Sequence, residues 1–164
     1  MAIRRLRPPP AIKVLEAAGA IADGRVRIVV SRNNLWAARV SSSGRPLEYR
    51  VYLEVSSGGE ARVYSSDNGT IYRGYVGYPI ISLMMLAGLL PRDAGIEERL
   101  KGINWFELNR RYKSYGKVME VVLAERAPEP GLRREIEGFM YRVMSLLRRT
   151  RLYLDESLPQ TYES

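Results

Sequence analysis

Cysteine and histidine are both missing from the 164 residues. Their absence excludes thiolate nucleophiles, serine–histidine triads and zinc sites built on sulfur or imidazole. It also excludes any disulfide framework, which makes a cytoplasmic location the expectation. Glutamine occurs once, at Gln160, and lysine only at Lys13, Lys101, Lys113 and Lys117. The scarcity of labile side chains fits a thermophile source. The preference for arginine fits a GC-rich genome equally well.

Long apolar runs are absent too. The longest covers residues 80–90, interrupted by Ser82 and Gly88 and stopped by Pro91. A membrane span needs about 20 apolar residues, so this run is expected to be a buried helix of a soluble protein. The opening MAIRRLRPPP carries cations with no apolar stretch behind them. It reads as a basic, proline-stiffened arm rather than a secretory signal.

What remains is a globular composition, 46% hydrophobic, with 26 cations against 18 carboxylates. One domain is the natural reading of that length. The net charge of +8 points to anionic partners, nucleic acid first.

Turn-forming stretches divide residues 25–76: Arg32 with Asn33 and Asn34, Ser42 through Pro46, Ser57 with Gly58 and Gly59, and Asn68 with Gly69. Between them lie five β-rich runs, at about 25–31, 35–41, 47–56, 60–66 and 70–76, the spacing of an antiparallel meander. Loop length then sets the register. Three-residue loops at 32–34 and 57–59 place Val30 opposite Trp36, Ile28 opposite Ala38, Val55 opposite Ala61, Leu53 opposite Val63 and Tyr52 opposite Tyr64. A two-residue turn at Asn68 and Gly69 places Val63 opposite Gly74 and Arg62 opposite Tyr75. One face collects Val26, Ile28, Val30, Trp36, Ala38, Val40, Val51, Leu53, Val55, Ala61, Val63 and Val76. A one-residue slip of any hairpin would scramble it.

Helical spacing accounts for the rest. A first helix runs to about Ala22, closed by Asp23 and Gly24, and residues 79–90 form the buried central one. Asp93 caps a short helix, and Asn104 with Glu107 resembles a capping box opening a helix that runs or kinks through Arg126. Residues 118–123, VMEVVL, read equally as helix or strand. A last amphipathic helix over about 132–152 carries Ile136, Phe139, Met140, Val143 and Leu147 on one stripe. The expected fold is α+β: a five-stranded antiparallel meander sheet with an N-terminal helix and a C-terminal set of three to four helices packed on its apolar face. Residues 1–10 form the arm and 11–164 a single domain, with the sheet over 25–76 and the helical part over 79–155.

The opposite face, in the same register, carries Arg25, Arg27, Arg39, Arg50, Tyr52, Arg62, Tyr64, Arg73 and Tyr75, with Glu48 and Glu54. Arginine forks engage phosphates and tyrosine rings stack on unpaired bases, so these nine residues are the candidate nucleic-acid-binding set. The plain alternative is a solvated face, because arginine and tyrosine suit a pleated surface. Protein interfaces are rich in the same two residues, so a scaffold subunit meeting an acidic protein, or a homodimer, is the competing reading. Arg110, Arg111, Lys113 and Lys117 form a second basic group, and Arg148, Arg149 and Arg151 a third that suits a helix C-terminus.

Catalysis finds little support. The acidic residues Glu97, Glu98 and Glu107 do not form a converging pair, and Glu97 is placed to meet Lys101 one turn on. No cofactor or metal is expected. GYVGYP at 74–79 reads as a close-packed turn into the central helix, without the lysine of a phosphate loop. A non-catalytic nucleic-acid-binding or nucleoprotein-associated protein is therefore the leading expectation.

Overall fold

The computed structural model describes residues 3–163. The chain is α+β, with one mixed sheet ordered β1-β6-β5-β4-β3-β2. Its strands are β1 (Arg4–Arg5), β2 (Val26–Arg32), β3 (Leu35–Ser41), β4 (Glu48–Val55), β5 (Ala61–Ser65) and β6 (Leu152–Leu154). Its helices are α1 (Ile12–Ala22), α2 (Asn68–Ile71), α3 (Tyr78–Leu86), α4 (Ala94–Arg99), α5 (Trp105–Tyr112), α6 (Tyr115–Arg126), α7 (Pro130–Arg149) and α8 (Leu158–Glu163). No helix among the described residues is long and apolar enough to cross a membrane.

β2 to β5 form the expected antiparallel meander. Val55 faces Ala61, Leu53 faces Val63 and Tyr52 faces Tyr64, and further along Ile28 faces Ala38. Ala38, Val40, Val51, Leu53 and Val63 are fully buried and meet Leu15, Ile80, Leu83, Phe139 and Val143 from the helices. The alternation of apolar and polar side chains fixes this face, because any slip would send five buried residues to solvent.

The first hairpin departs from expectation in a compensated way. Its turn is two residues, Asn33 and Asn34, with Asn33 left-handed at φ 51°. Arg32 therefore pairs with Leu35 and Ser31 with Trp36, while Val30 faces Ala37 rather than Trp36. A bulge between Ile28 and Val30 absorbs the extra residue. The bulge returns Ile28 to the helical side and turns Val30 to the opposite one, since one extra residue inverts the side-chain parity.

The fifth expected strand is the main correction. Asn68 and Gly69 do not turn a hairpin; they open α2, because the Asp67 side chain accepts from the Thr70 amide at 3.1 Å and caps the helix. Tyr75 only bridges Arg7. The place beside β5 is taken by β6, running parallel, so that Val63 faces Leu154 and Arg62 faces Tyr153. Residues 152–154, expected at the end of a helix, are thus a strand. The basic arm is likewise part of the sheet: Arg4 and Arg5 pair with Leu154 and Tyr153, and Leu6 is buried in the core. Residues 118–123 are helical, within α6. The long helix kinks at Lys113, left-handed at φ 54°, where Ser114 caps α6.

Candidate functional site: an aromatic pocket with a basic mouth

The nine residues expected on one sheet face divide. Arg27, Arg39, Arg50, Tyr52, Arg62 and Tyr64 do share the outer side, with Arg27, Arg39 and Arg50 abreast on three adjacent strands. That side is not open. Leu158 of α8 is 1% exposed and sits with Ala37 and Tyr52, while Val30, Tyr64 and Tyr162 pack around them. Tyr52 is left 3% exposed. Arg62 is held by Glu54 and by Asp155 at 2.9 Å, and the Tyr162 hydroxyl donates to Glu54. The C-terminal segment therefore covers Tyr52 and Tyr64, meant for stacking, and engages Arg62.

Arg25, Arg73 and Tyr75 lie elsewhere. Arg25 precedes β2 and donates to the Ser41 carbonyl at 2.7 Å, beside Asp23. Its guanidinium also reaches Tyr78. Arg73 and Tyr75 follow α2 and line a cavity of about 470 Å³ that opens between α1, the 42–49 segment, the 67–78 segment and the junction of α5 and α6. This lies within the range of about 300–1,000 Å³ typical of small-ligand sites.

The walls of the cavity are aromatic: Tyr49, Tyr75, Tyr78, Trp105, Phe106 and Tyr115. Its floor is the start of α1. Lys13 and Glu16 are the only charged residues on that helix, and their charged ends meet at 2.7 Å, with Glu16 only 3% exposed. Asn109 donates to the other Glu16 oxygen at 3.3 Å. Asp67 also borders the cavity, and its carboxylate is satisfied by the Ser65 hydroxyl and by the amide and hydroxyl of Thr70. Gly77 is required here, since a Cβ would come 2.2 Å from an Asp67 oxygen. The carboxylate thus lies against Gly77, the N-cap of α3. GYVGYP is thus a close-packed turn, as expected.

The mouth is basic. Arg45, Arg73 and Lys113 stand around it. Arg45 lies 4.5 Å from the Phe106 ring centre and donates to the Tyr49 hydroxyl at 3.0 Å. Arg73 reaches the Tyr115 hydroxyl at 3.4 Å, and that hydroxyl lies 3.2 Å from the Tyr75 hydroxyl. Among the described residues, none of these three cations is paired with a carboxylate. Arg110 and Arg111 of the same basic group are instead tied to Glu107.

The titration states follow from the surroundings. Burial, then the hydrogen bond with Tyr115, pushes the Tyr75 phenol well above its ordinary range. Burial does the same to Tyr78. For Lys13 burial works against the ammonium, but the charge and hydrogen bond of Glu16 outweigh it and the net direction is upward. The cavity therefore holds Tyr75 and Tyr78 as neutral phenols and Lys13 as an ammonium beside the Glu16 carboxylate. Phenols and an ammonium are donors suited to holding an anion.

Residues 6–153 match the family model described as Uncharacterised conserved protein UCP014422. The chain belongs to that family. No curated protein and no solved structure matches it. Every residue bordering the cavity falls inside the matched span, whereas Asp155 and α8, which cover the outer sheet face, fall beyond it. Sequence reasoning picked out Arg73, Tyr75 and Lys113 but missed Lys13, Glu16, Arg45 and Tyr115. One signal was present: two opposite charges three residues apart on an otherwise apolar helix.

Proposed function

We propose that this protein binds a nucleotide unit, without catalysing its conversion, in the cavity between α1, the 67–78 segment and α5–α6. The observation that carries the reading is the pairing of charges. Both carboxylates of the cavity are engaged from within, Glu16 by Lys13 and Asn109 and Asp67 by Ser65 and Thr70, while among the described residues Arg45, Arg73 and Lys113 at its mouth have no carboxylate. An anionic group is what would complete them, and guanidinium forks match phosphate geometry. The aromatic walls supply surfaces on which a flat ring stacks, worth about 1–3 kcal/mol per base. Phosphate at the mouth and base within the walls is the arrangement this favours.

The sheet face is the weaker support for nucleic-acid binding, because α8 overlies Tyr52 and the Asp155 carboxylate engages Arg62. An acidic protein partner would meet the same obstruction. The two locations separate cleanly by mutation. Calorimetric titration with nucleoside monophosphates should give a binding isotherm that Arg73→Ser with Lys113→Ser weakens by about tenfold or more, the loss of two charge-assisted contacts. Arg50→Ser with Arg62→Ser should leave it within about twofold. Loss through the second pair and not the first would return the function to the sheet.

A further inference from the structure

The cations at the mouth do not stop at the cavity. Arg73 continues into Tyr72, whose side chain is 81% exposed and belongs to no apolar cluster among the described residues. β1 and the residues just after it bring two more arginines to this segment. Arg4 donates to the Ile71 carbonyl at 2.6 Å, and Arg7 donates to the Arg73 carbonyl. Each contact fixes one end of a guanidinium group that carries five N–H donors, which leaves most of them to the exterior. Both side chains are exposed, and neither is paired with a carboxylate among the described residues. The pairing of β1 with β6 and the Arg7–Tyr75 bridge hold this row in place.

We infer that the cavity receives one unit of a single-stranded nucleic acid whose next base stacks on Tyr72 and whose phosphates follow Arg73, Arg7 and Arg4. This rests on the nucleotide reading of the cavity. A free nucleotide would need only the mouth; cations placed beyond it serve a ligand that continues. A duplex does not fit, because its bases are already stacked and paired and offer no free face to the exposed ring. The backbone contacts carry no sequence information, so the track selects for an unpaired strand over a duplex and not for a sequence.

The test compares ligands of two lengths. Fluorescence anisotropy with labelled eight-residue oligothymidylate and oligouridylate, alongside calorimetry with thymidine and uridine monophosphates, should show at least one oligomer bound about tenfold or more tightly than its monomer. Tyr72→Ala should weaken that oligomer about fivefold or more, and Arg4→Ser with Arg7→Ser by a comparable factor, leaving monophosphate affinity unchanged. Circular dichroism of each variant confirms the fold, and Tyr72→Phe, which keeps the ring, should restore oligomer binding. Oligomers bound no more tightly than monophosphates overturn the strand inference while the cavity reading stands. Failure of both ligands to bind overturns both. A duplex bound as tightly as the single strand also overturns the inference.

Discussion

At the scale of single residues, the cavity rests on a few close approaches. Gly77→Ala should destabilise the fold by about 2 kcal/mol or more, because its new Cβ meets the Asp67 carboxylate that caps α2. Gly58→Ala, with nothing within 4 Å and a backbone outside the left-handed region, should be nearly neutral when both variants are compared by urea titration. The Lys13–Glu16 pair has a pH signature at the alkaline end. Its lysine is held above the ordinary value of 10.5, so the stability it contributes is present below that pH and is lost as pH rises past it. Glu16→Gln should move the start of alkaline unfolding to lower pH. The sequence made Asp67 look like a turn residue, because Asp-Asn-Gly serves a hairpin and a helix cap equally well. What decides between them is Thr70, whose amide and hydroxyl both reach the Asp67 carboxylate.

At the scale of elements, β3, β4 and β5 were legible in extent, and β4 with β5 in register as well, since their alternation and short loop leave one solution. The Asn104 cap was legible too: its side chain accepts from the Glu107 amide at 3.0 Å. Glu97, expected to meet Lys101, forms a two-pronged pair with Arg92 instead, at 3.0 and 2.9 Å. Local spacing brings both cations within reach, and only the forked one satisfies both oxygens. β6 was not legible, because LYL after a long amphipathic helix continues the helical pattern and only the open edge of β5 selects a strand. The same holds for α8, whose Leu158 finds its apolar patch only once the sheet exists. Hydrogen bonding from Tyr162, followed by Arg62, holds Glu54 below its ordinary pKa. Burial opposes ionisation of Asp155, but Ser157 and Arg62 prevail and its pKa is lowered as well. Depressed carboxylates stabilise the folded state above their unfolded values and cease to do so as pH falls through the folded ones. Hydrogen-exchange protection factors of the α8 amides should therefore fall on acidification below about pH 4, ahead of those of β4 and β5. Truncation after Leu154 should lower stability by about 2 kcal/mol or more, since the burial of Leu158 goes together with the Asp155 and Tyr162 contacts, and leave monophosphate binding intact.

At the scale of the whole molecule, the excess of arginine is the ground for expecting an anionic partner, and it gives no position for one. Charge is a sum over the chain, whereas a site depends on which cations lack internal partners. The salt dependence of oligomer binding reports that smaller number. With three or four phosphates neutralised, log K should fall against log salt with a slope of about −2 to −3, and Arg73→Ser should reduce its magnitude by about 0.7. A slope near −6 would mean that the sheet arginines take part as well.

The strand order has a consequence for how the molecule is assembled in time. β6 separates β1 from β5, so the first strand of the chain has no neighbour until the last has been laid beside Val63. The meander of β2 to β5 has short loops and closes early; the other edge waits for the whole helical stretch from α2 to α7. Such distant pairing raises contact order and slows the final step. Arg4, Arg7 and the bridge to Tyr75 belong to that late edge, so on the strand-binding proposal oligomer binding should mature after the core does. In a refolding experiment burial of Trp105 would precede recovery of oligomer binding, and a proline at Tyr153 would stretch the interval between them.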